Sequence, residues 1–461
     1  MHFEPFLQLA DVGDDEALIA WGGFYFGRGD SPYGEWRIVD DEELAEIAGG
    51  GRSGTIGASS EPFGEAVVEV ELEGEVVGRA HTAERNHAWV HGLEPETDYR
   101  YRVLVDGEPW AHGERWEWDF ERGTLVQSGR RYENAFRTLR AADEPARLVF
   151  AALGDFGVGI FDRGEDGARQ LRLARALERA VHSRGVTLVL TTGDNVYIGP
   201  EGTPAGTGNE DDDWYASFYQ PYRYILNRVP FFPTVGNHDA ADTERSDDRE
   251  QLTDNLFLDH RFRRQIQTGR SSMDPGLFYR LQFGSLVELI CLDTSIATEE
   301  MEVEHYFDDP SHFQWVRDAL DPDTEARPRW RIPFSHHPPF CAGPEHGSTK
   351  GMVERLVPLF EEAGVRLVLS GHEHNFQHSV VNGVHYVITG AGGKLRAESP
   401  SEFEAAGTRE WAAAGHFLLV ESDRERLLIQ PVGDVRDDGS LELIERLDPT
   451  GDPVPGPLEI D

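Results

Sequence analysis

Cysteine is almost missing from this chain: Cys291 and Cys341 are the only two among 461 residues, and neither belongs to a CxxC pair. No disulfide framework holds the fold, and each thiol reads as buried. Lysine is as scarce, with Lys350 and Lys394 alone beside the arginines, and 43 basic residues face 84 acidic ones for a formal charge of -41. Such a field repels a polyphosphate backbone, which excludes nucleic acid as a partner. Long apolar runs are absent too. No stretch approaches the roughly 18 residues of a membrane span, so no membrane partner is expected. The first residues, MHFEPFLQLADVGDDEALIAW, lack the basic segment and apolar stretch of a secretory leader. This favours a cytoplasmic protein, with secretion left open if a leader has been removed. Oligomeric state is not legible.

What is present is enough for more than one core. At 461 residues and 39% hydrophobic content the chain predicts two domains. The acids are spread along the chain instead of gathered in a tail. Solvated carboxylates keep a protein soluble in a saline interior, and a generally acidic proteome gives the same composition; the sequence leaves both open.

Residues 1–144 predict an all-β sandwich. Val68, Val70 and Leu72 alternate with Glu69, Glu71 and Glu73, and Tyr99, Tyr101, Val103 and Val105 alternate with Arg100, Arg102 and Leu104. That is the period of half-buried strands. The stretch LEPETDYRYRV at 93–103 resembles fibronectin type III domains, in which a corner tyrosine ties one strand to the backbone upstream. Between residues 27 and 60 the glycine- and charge-rich sequence predicts a long loop.

After the polar connector AADEPAR at 141–147 the pattern becomes strand, helix, strand: LVFAAL at 148–153, a helical period over 168–185, and VTLVLTT at 186–192. Further strands are expected at 230–235, 277–283, 286–292, 329–335, 365–370 and 384–389, with helices near 213–227, 311–320 and 350–363. Closing strands are expected at 416–422, 426–432 and 440–446, followed by a Pro- and Asp-rich tail expected to fray. Residues 145–461 therefore predict an α/β unit.

Five acid- and histidine-bearing motifs directly follow apolar strands: GDFG at Asp155, GDNVY at Asp194, GNHD at Asn237, SHHPPF at His336 and GHEH at His372. The carboxyl ends of strands in α/β sheets are where ligands bind. One aspartate after a strand is usually a turn-former. Five such motifs supply oxygen and nitrogen ligands for a pair of metals, which clamp a phosphate and generate a nucleophilic hydroxide near neutral pH.

In this order the motifs resemble those of the calcineurin-like metallophosphoesterases, and within them the purple acid phosphatases, over about residues 147–393. The resemblance implies a four-layer α/β/β/α sandwich behind the fibronectin-like domain. It also implies a metal-dependent phosphoester hydrolase, most of all a phosphomonoesterase using a metal-bound hydroxide on a small phosphorylated substrate. By resemblance, Asp155, Asp194, Tyr197 and His374 hold an Fe(III), and Asp194, Asn237, His336 and His372 hold a divalent iron, zinc or manganese, with Asp194 bridging. Tyr197 is the discriminating residue, because a phenol with a pKa of about 10 ionises readily only beside a strongly charged ion. Phenolate-to-iron charge transfer gives that family its colour. The ligand of the fourth motif is His336 or His337, and the family places it two residues before the proline, at His336. His238 and His346 match two histidines that hydrogen-bond the phosphate and help protonate the leaving alkoxide.

Asn375 is expected to support the adjacent ligand, and TGAGGK at 389–394 lacks the spacing of a phosphate-cradling loop and reads as a turn. The acidic loop after Tyr197 is expected to overhang the site, and Trp214, Tyr215, Phe218 and Tyr219 to pack in the core. Two other functions stand beside this one, and the sequence does not separate the first of them from a phosphomonoesterase. A phosphodiesterase or nucleotide hydrolase with two divalent ions would use the same scaffold, and a binding protein that kept the fold would be expected to have lost a ligand.

Overall fold

The computed structural model describes residues 2–31, 34–39, 44, 46, 56–119, 122, 124–140, 147–160, 164–197, 214–239, 248–261, 273–274, 277–295, 310–321 and 327–461. The connector at 141–146 and the loop at 198–213 lie outside them, and with them the expected domain boundary and the expected overhang.

Two sheets form the N-terminal sandwich. In the first, Glu16–Ser31 is flanked by His2–Val12 and, on its other edge, by Gly34–Ile38 and His87–His91; the second runs Ala135–Arg137, Asp98–Val105, Ala66–Leu72, Glu75–Thr82. The period-2 alternation sends Val68, Val70, Tyr99, Tyr101 and Val103 between the sheets against Leu7, Leu9, Ile19 and Trp21. The Tyr99 hydroxyl accepts the Glu94 N–H at 2.7 Å, tying the strand to the turn before it. The expected loop over 27–60 is corrected in its first part. The strand runs on to Ser31 and pairs back with Gly34–Ile38, because Phe24, Phe26 and Ile38 share one buried face.

From Leu148 onward two further sheets face each other. One is ordered Phe231–Pro233, Leu188–Thr191, Leu148–Leu153, Phe417–Ser422, Leu427–Val435, Leu441–Leu443; its first three strands are parallel. The other has ten strands, with Val287–Cys291, Trp330–Phe334, Leu367–Ser370 and Val384–Thr389 parallel at its centre. The helix Glu165–Arg184 covers the first sheet with Leu173, Ala174, Leu177 and Ala180, carries acids in its first turn, and stops at Gly185 in the left-handed conformation. Helices Pro310–Ala319, Lys350–Arg355 and Val357–Glu362 lie along the second, where Val316, Met352, Leu356 and Phe360 bury. This is the expected four-layer α/β/β/α arrangement.

Phe376–Val381 and Thr408–Ala412 are among the strands that were not anticipated. The expected fraying of the tail is overturned: Leu458–Ile460 pairs with Leu427–Val435, and Leu458 and Ile460 bury while Glu459 between them is exposed. An apolar alternation of only three residues suffices once a sheet edge is there to receive it. Among the described residues no helix is long and apolar enough to cross a membrane.

The sandwich is welded to the α/β unit. The outer face of its first sheet, Phe6, Phe24 and Phe26, enters the same core as Phe150, Tyr215 and Phe218. Phe6 meets Tyr219 at 4.3 Å and Phe24 meets Tyr215 at 4.9 Å between ring centroids. The buried Arg261 guanidinium donates to the carbonyls of Ala10 and Phe231, one on each side of the junction. Glu4 pairs with Arg223 at 2.8 Å, both with side chains 4% exposed. Removing one partner strands a buried charge, at a cost of about 3 kcal/mol. Glu4→Ala is therefore expected to lower the unfolding midpoint by several degrees in a thermal melt; an unchanged midpoint would mean the junction is not part of the cooperative core.

Candidate metal centre

Five of the parallel strands end at one crevice between the two large sheets. Leu148–Leu153 leads to Asp155, Leu188–Thr191 to Asp194 and Tyr197, Phe231–Pro233 to Asn237 and His238, Trp330–Phe334 to His336, and Leu367–Ser370 to His372 and His374. Asp155, Asp194 and His372 all have positive φ, +56°, +51° and +69°. Non-glycine residues rarely hold that conformation, and the tight turns after these strands impose it.

Two adjoining donor clusters result. In one, the Tyr197 hydroxyl donates to Asp155 Oδ1 at 3.1 Å and lies 3.2 Å from His374 Nε2, which is 3.3 Å from the same Asp155 oxygen. In the other, His336 Nε2 lies 2.9 Å from Asn237 Oδ1, 3.1 Å from His372 Nδ1 and 3.4 Å from Asp194 Oδ1. Asp155, Asp194 and His336 present ligand atoms all within 4.8 Å of one another, so the two clusters touch. Cations bound at about 2.1 Å hold neighbouring ligands about 3.0 Å apart in an octahedron and about 3.4 Å apart in a tetrahedron, which spans these separations.

The protonation pattern suits cations as well. His336 Nδ1–H donates to the Thr192 carbonyl at 2.8 Å, which leaves the lone pair on Nε2 pointing at Asn237 and Asp194. Burial lowers the pKa of His336, and burial with the neighbouring His337 and His336 lowers that of His372 well below the ordinary range. Burial and the nearby Arg396 bring His374 to about 3. All three imidazoles are neutral, the form that binds metal. Burial and then the Asp194 charge raise Asp155 well above the carboxylate range. Burial and then the carboxylates of Asp155 and Asp194 push Tyr197 well above 10. Burial works against ionisation of Asp194 too, but His336 and His238 hold its pKa below the carboxylate range. Without a counter-charge Asp155 and Tyr197 resist ionisation, and a pair of cations would supply it.

Each residue expected from the sequence lies at this crevice, with the two non-ligand histidines at its mouth. His238 is half-buried, its backbone N–H donates to Asp194 Oδ1 at 3.0 Å, and its ring centroid is 4.5 Å from that of Tyr197. The His346 ring stacks on His372 at 3.8 Å. His337 hydrogen-bonds Thr294 Oγ1 at 2.8 Å through Nδ1 and stands with His336 and His372 in a second possible donor triad. Asn375 departs from expectation. Its amide meets the Gly343 carbonyl and Gln377 rather than a ligand, so it supports the 341–347 loop. The TGAGGK turn packs beneath Asp155, whose carbonyl accepts the N–H groups of Gly393 and Lys394.

Asp239 was not singled out in the sequence. Its buried carboxylate accepts the N–H groups of Asn195, Val196 and Gly236 and the Asn195 side-chain amide, at 2.7–3.2 Å, clamping the GDNVY turn to the GNHD turn. Burial and the Asp194 charge raise its pKa to about 7. Only the fourth position of the GNHD motif hinted at this, since an aspartate there reads equally well as a solvated turn residue.

The family description Calcineurin-like phosphoesterase matches residues 132–376. Human tartrate-resistant acid phosphatase type 5 is 27% identical over 265 residues, 53% of this chain and 73% of the relative. Purple acid phosphatase 17 of Arabidopsis thaliana is 28% identical over 274 residues, 56% of this chain and 72% of the relative. Among solved structures, PhoD aligns over 99% of this chain and 91% of its own with a TM-score of 0.62 at 12% identity. Purple acid phosphatase PPD1 from seeds of Lupinus luteus aligns over 96% and 74% with a TM-score of 0.58 at 14% identity. Both alignments take in the N-terminal sandwich as well as the crevice.

Losing the Asp239 clamp leaves the two turns free to separate while every ligand side chain is retained in the sequence. Asp239→Ala is expected to weaken metal retention about 10- to 100-fold, the usual effect of removing a partner that orients metal ligands. Elemental analysis after dialysis against a chelator reads this directly, and full retention would demote Asp239 to a turn residue.

Proposed function

The chain belongs to the calcineurin-like phosphoesterase family and is a binuclear metal-dependent phosphoester hydrolase, and from that premise we propose that it is a purple-acid-phosphatase-like phosphomonoesterase acting on small phosphorylated substrates. In this reading Asp155, Asp194, Tyr197 and His374 hold an Fe(III), and Asp194, Asn237, His336 and His372 hold a divalent iron, zinc or manganese. The observation that carries the reading is the pair of touching donor clusters, one of them containing a buried phenol hydrogen-bonded to a buried carboxylate. Residues 145–461 are the hydrolase and residues 1–144 its buttress.

When bound, the metals supply Lewis-acid stabilisation of the phosphate and an activated water nucleophile. The chain supplies the rest. Thr192 fixes the His336 tautomer, and the backbone N–H groups of His238 and His372 donate to the carboxylates of Asp194 and Asp155, fixing the orientation in which they would hold the metals. His238 and His346 flank the crevice, donate hydrogen bonds to the phosphate oxygens and assist departure of the alcohol, a role worth about 10²–10⁴-fold for a positioned imidazole.

Tyr197 separates this reading from a phosphodiesterase or nucleotide hydrolase using two divalent ions. Iron-replete protein is expected to show a broad visible band that shifts on adding phosphate, and Tyr197→Phe to lose the band while keeping its iron. A colourless, active parent protein would sink the Fe(III) assignment and favour the two-divalent-ion reading. Asp194→Ala removes the carboxylate shared by both clusters and is expected to lower 4-nitrophenyl phosphate hydrolysis at least about 10³-fold. Near-normal turnover in that variant would contradict the shared-ligand role.

A further inference from the structure

The GHEH segment runs into the strand Phe376–Val381 with its side chains alternating between two tasks. His372 and His374 enter the donor clusters. The residues between and after them, Glu373, Asn375 and Gln377, turn the other way onto one loop, 341–347. Gln377 accepts the Ala342 N–H through Oε1 and donates to the Gly343 carbonyl through Nε2. Glu373, fully buried, accepts the N–H groups of Glu345 and His346 on one carboxylate oxygen, at 3.2 and 2.8 Å. Its other oxygen accepts Arg396 Nη1 at 3.0 Å. The same guanidinium reaches His346 itself, Nη2 to Nε2 at 3.2 Å. Arg396 is placed by its own backbone, whose N–H donates to the His374 carbonyl.

A guanidinium only donates. His346 Nε2 is therefore the lone-pair nitrogen, and the ring hydrogen sits on Nδ1. The imidazole is held three ways: by its own backbone N–H on Glu373, by Arg396 on Nε2, and by the face of His372 at 3.8 Å. In a chain with twice as many acids as bases, a buried glutamate inside the metal motif and an arginine brought to it from beyond the TGAGGK turn have one visible joint product, a fixed His346.

We propose that Glu373 and Arg396 are positioning residues that fix the loop, the ring orientation and the Nδ1–H tautomer of His346 above the metal crevice. The inference rests on the reading of His346 as a residue that contacts the substrate phosphate. It goes beyond it in naming what sets the geometry and which ring nitrogen does the donating. Arginine's planar fork spans Glu373 and His346 at once, and a lysine ammonium cannot satisfy both in the same geometry.

A double-mutant cycle on the full, metal-loaded chain tests this, with metal content measured in every variant. His346→Ala is expected to lower kcat on an alkyl phosphate about 100-fold and Arg396→Met about 10-fold, both at full metal content. The double variant is expected to be no worse than His346→Ala within about twofold, since Arg396 acts through His346. Arg396→Lys should recover only part of the loss, and it serves as the folded variant if Arg396→Met proves unstable. Independently of turnover, long-range proton–nitrogen spectra of zinc-loaded protein labelled at histidine should show His346 as the Nδ1–H tautomer, becoming a mixture in Arg396→Met. Losses that multiply to about 1,000-fold in the double variant, or a tautomer indifferent to Arg396, overturn the proposal. If His346→Ala turns over normally while the tautomer still answers to Arg396, the clamp stands and the substrate-contact reading of His346 falls.

Discussion

Two carboxylates buried side by side set the terms for everything around them. Asp155 and Asp194 have lost their water. Asp155 suffers its own desolvation and then the charge of Asp194, whereas Asp194, despite its burial, is held below the ordinary carboxylate range by the neighbouring His336 and His238. Burial at that density is tolerable only if positive charge is brought in, and the chain spends few of its own cations there. It surrounds the pair with neutral imidazoles, a carboxamide and a phenol, all electron-pair donors, so the counter-charge is left to metal ions. The hydrogen bonds nearby follow from the same need. The Thr192 carbonyl takes the spare proton of His336, the His372 N–H holds the Asp155 oxygen that faces away from Tyr197 and His374, and the His238 N–H donates to Asp194 Oδ1, the oxygen beside His336.

Packing five strand ends around two ions leaves almost no room for backbone, which accounts for the glycines of the motifs. A Cβ on Gly236 would fall 2.1 Å from Asp194 Oδ1, and one on Gly193, whose φ is +90°, would fall 2.4 Å from His336 Nδ1. Gly371 approaches Asp155 Oδ2 as closely as 2.6 Å by the same measure. These positions cannot carry side chains without pushing a ligand away. The positive φ of Asp155, Asp194 and His372 belongs to the same crowding, and the cost, of order 1–3 kcal/mol for each strained residue, is carried by the two sheets whose edges the turns join.

How much of this was legible varies with the kind of signal. Strands buried on both faces, such as LVFAAL and VTLVLTT, announce themselves as unbroken apolar runs, and the expected ligands directly follow them, so strand positions and donor set could be read together. Phe376–Val381 was hidden because it buries Gln377, His378 and Ser379, polar residues satisfied by partners that only the fold brings near. For the same reason Glu373, Asp239 and Arg396 were not singled out. A buried charge is recognisable only through its partner, and these partners lie 3 to 50 residues away in sequence. The sharing of one core by the sandwich and the hydrolytic unit left only a trace, the apolar residues at both parities of the first strand, with Phe6 turned one way and Leu7 and Leu9 the other.

The chain's large negative charge and its anionic substrates are reconciled by distance. At physiological salt the field of surface carboxylates dies away within about 8 Å, so the acids that fill the surface say little about the potential inside a crevice. What acts there is near and poorly screened: the ions, the Arg396 guanidinium on His346, and Lys394, one of two lysines in the chain, whose ammonium lies 5.0 Å from the centre of the Tyr197 ring. Both side chains hang from the segment just after the TGAGGK turn, which is itself pinned to the Asp155 carbonyl. A displacement of Asp155 therefore moves Lys394 and the segment that carries Arg396 along with the ligand. A phosphate entering the crevice meets a positive interior whose parts are tied to one another through a single aspartate, whatever the sign of the surface outside.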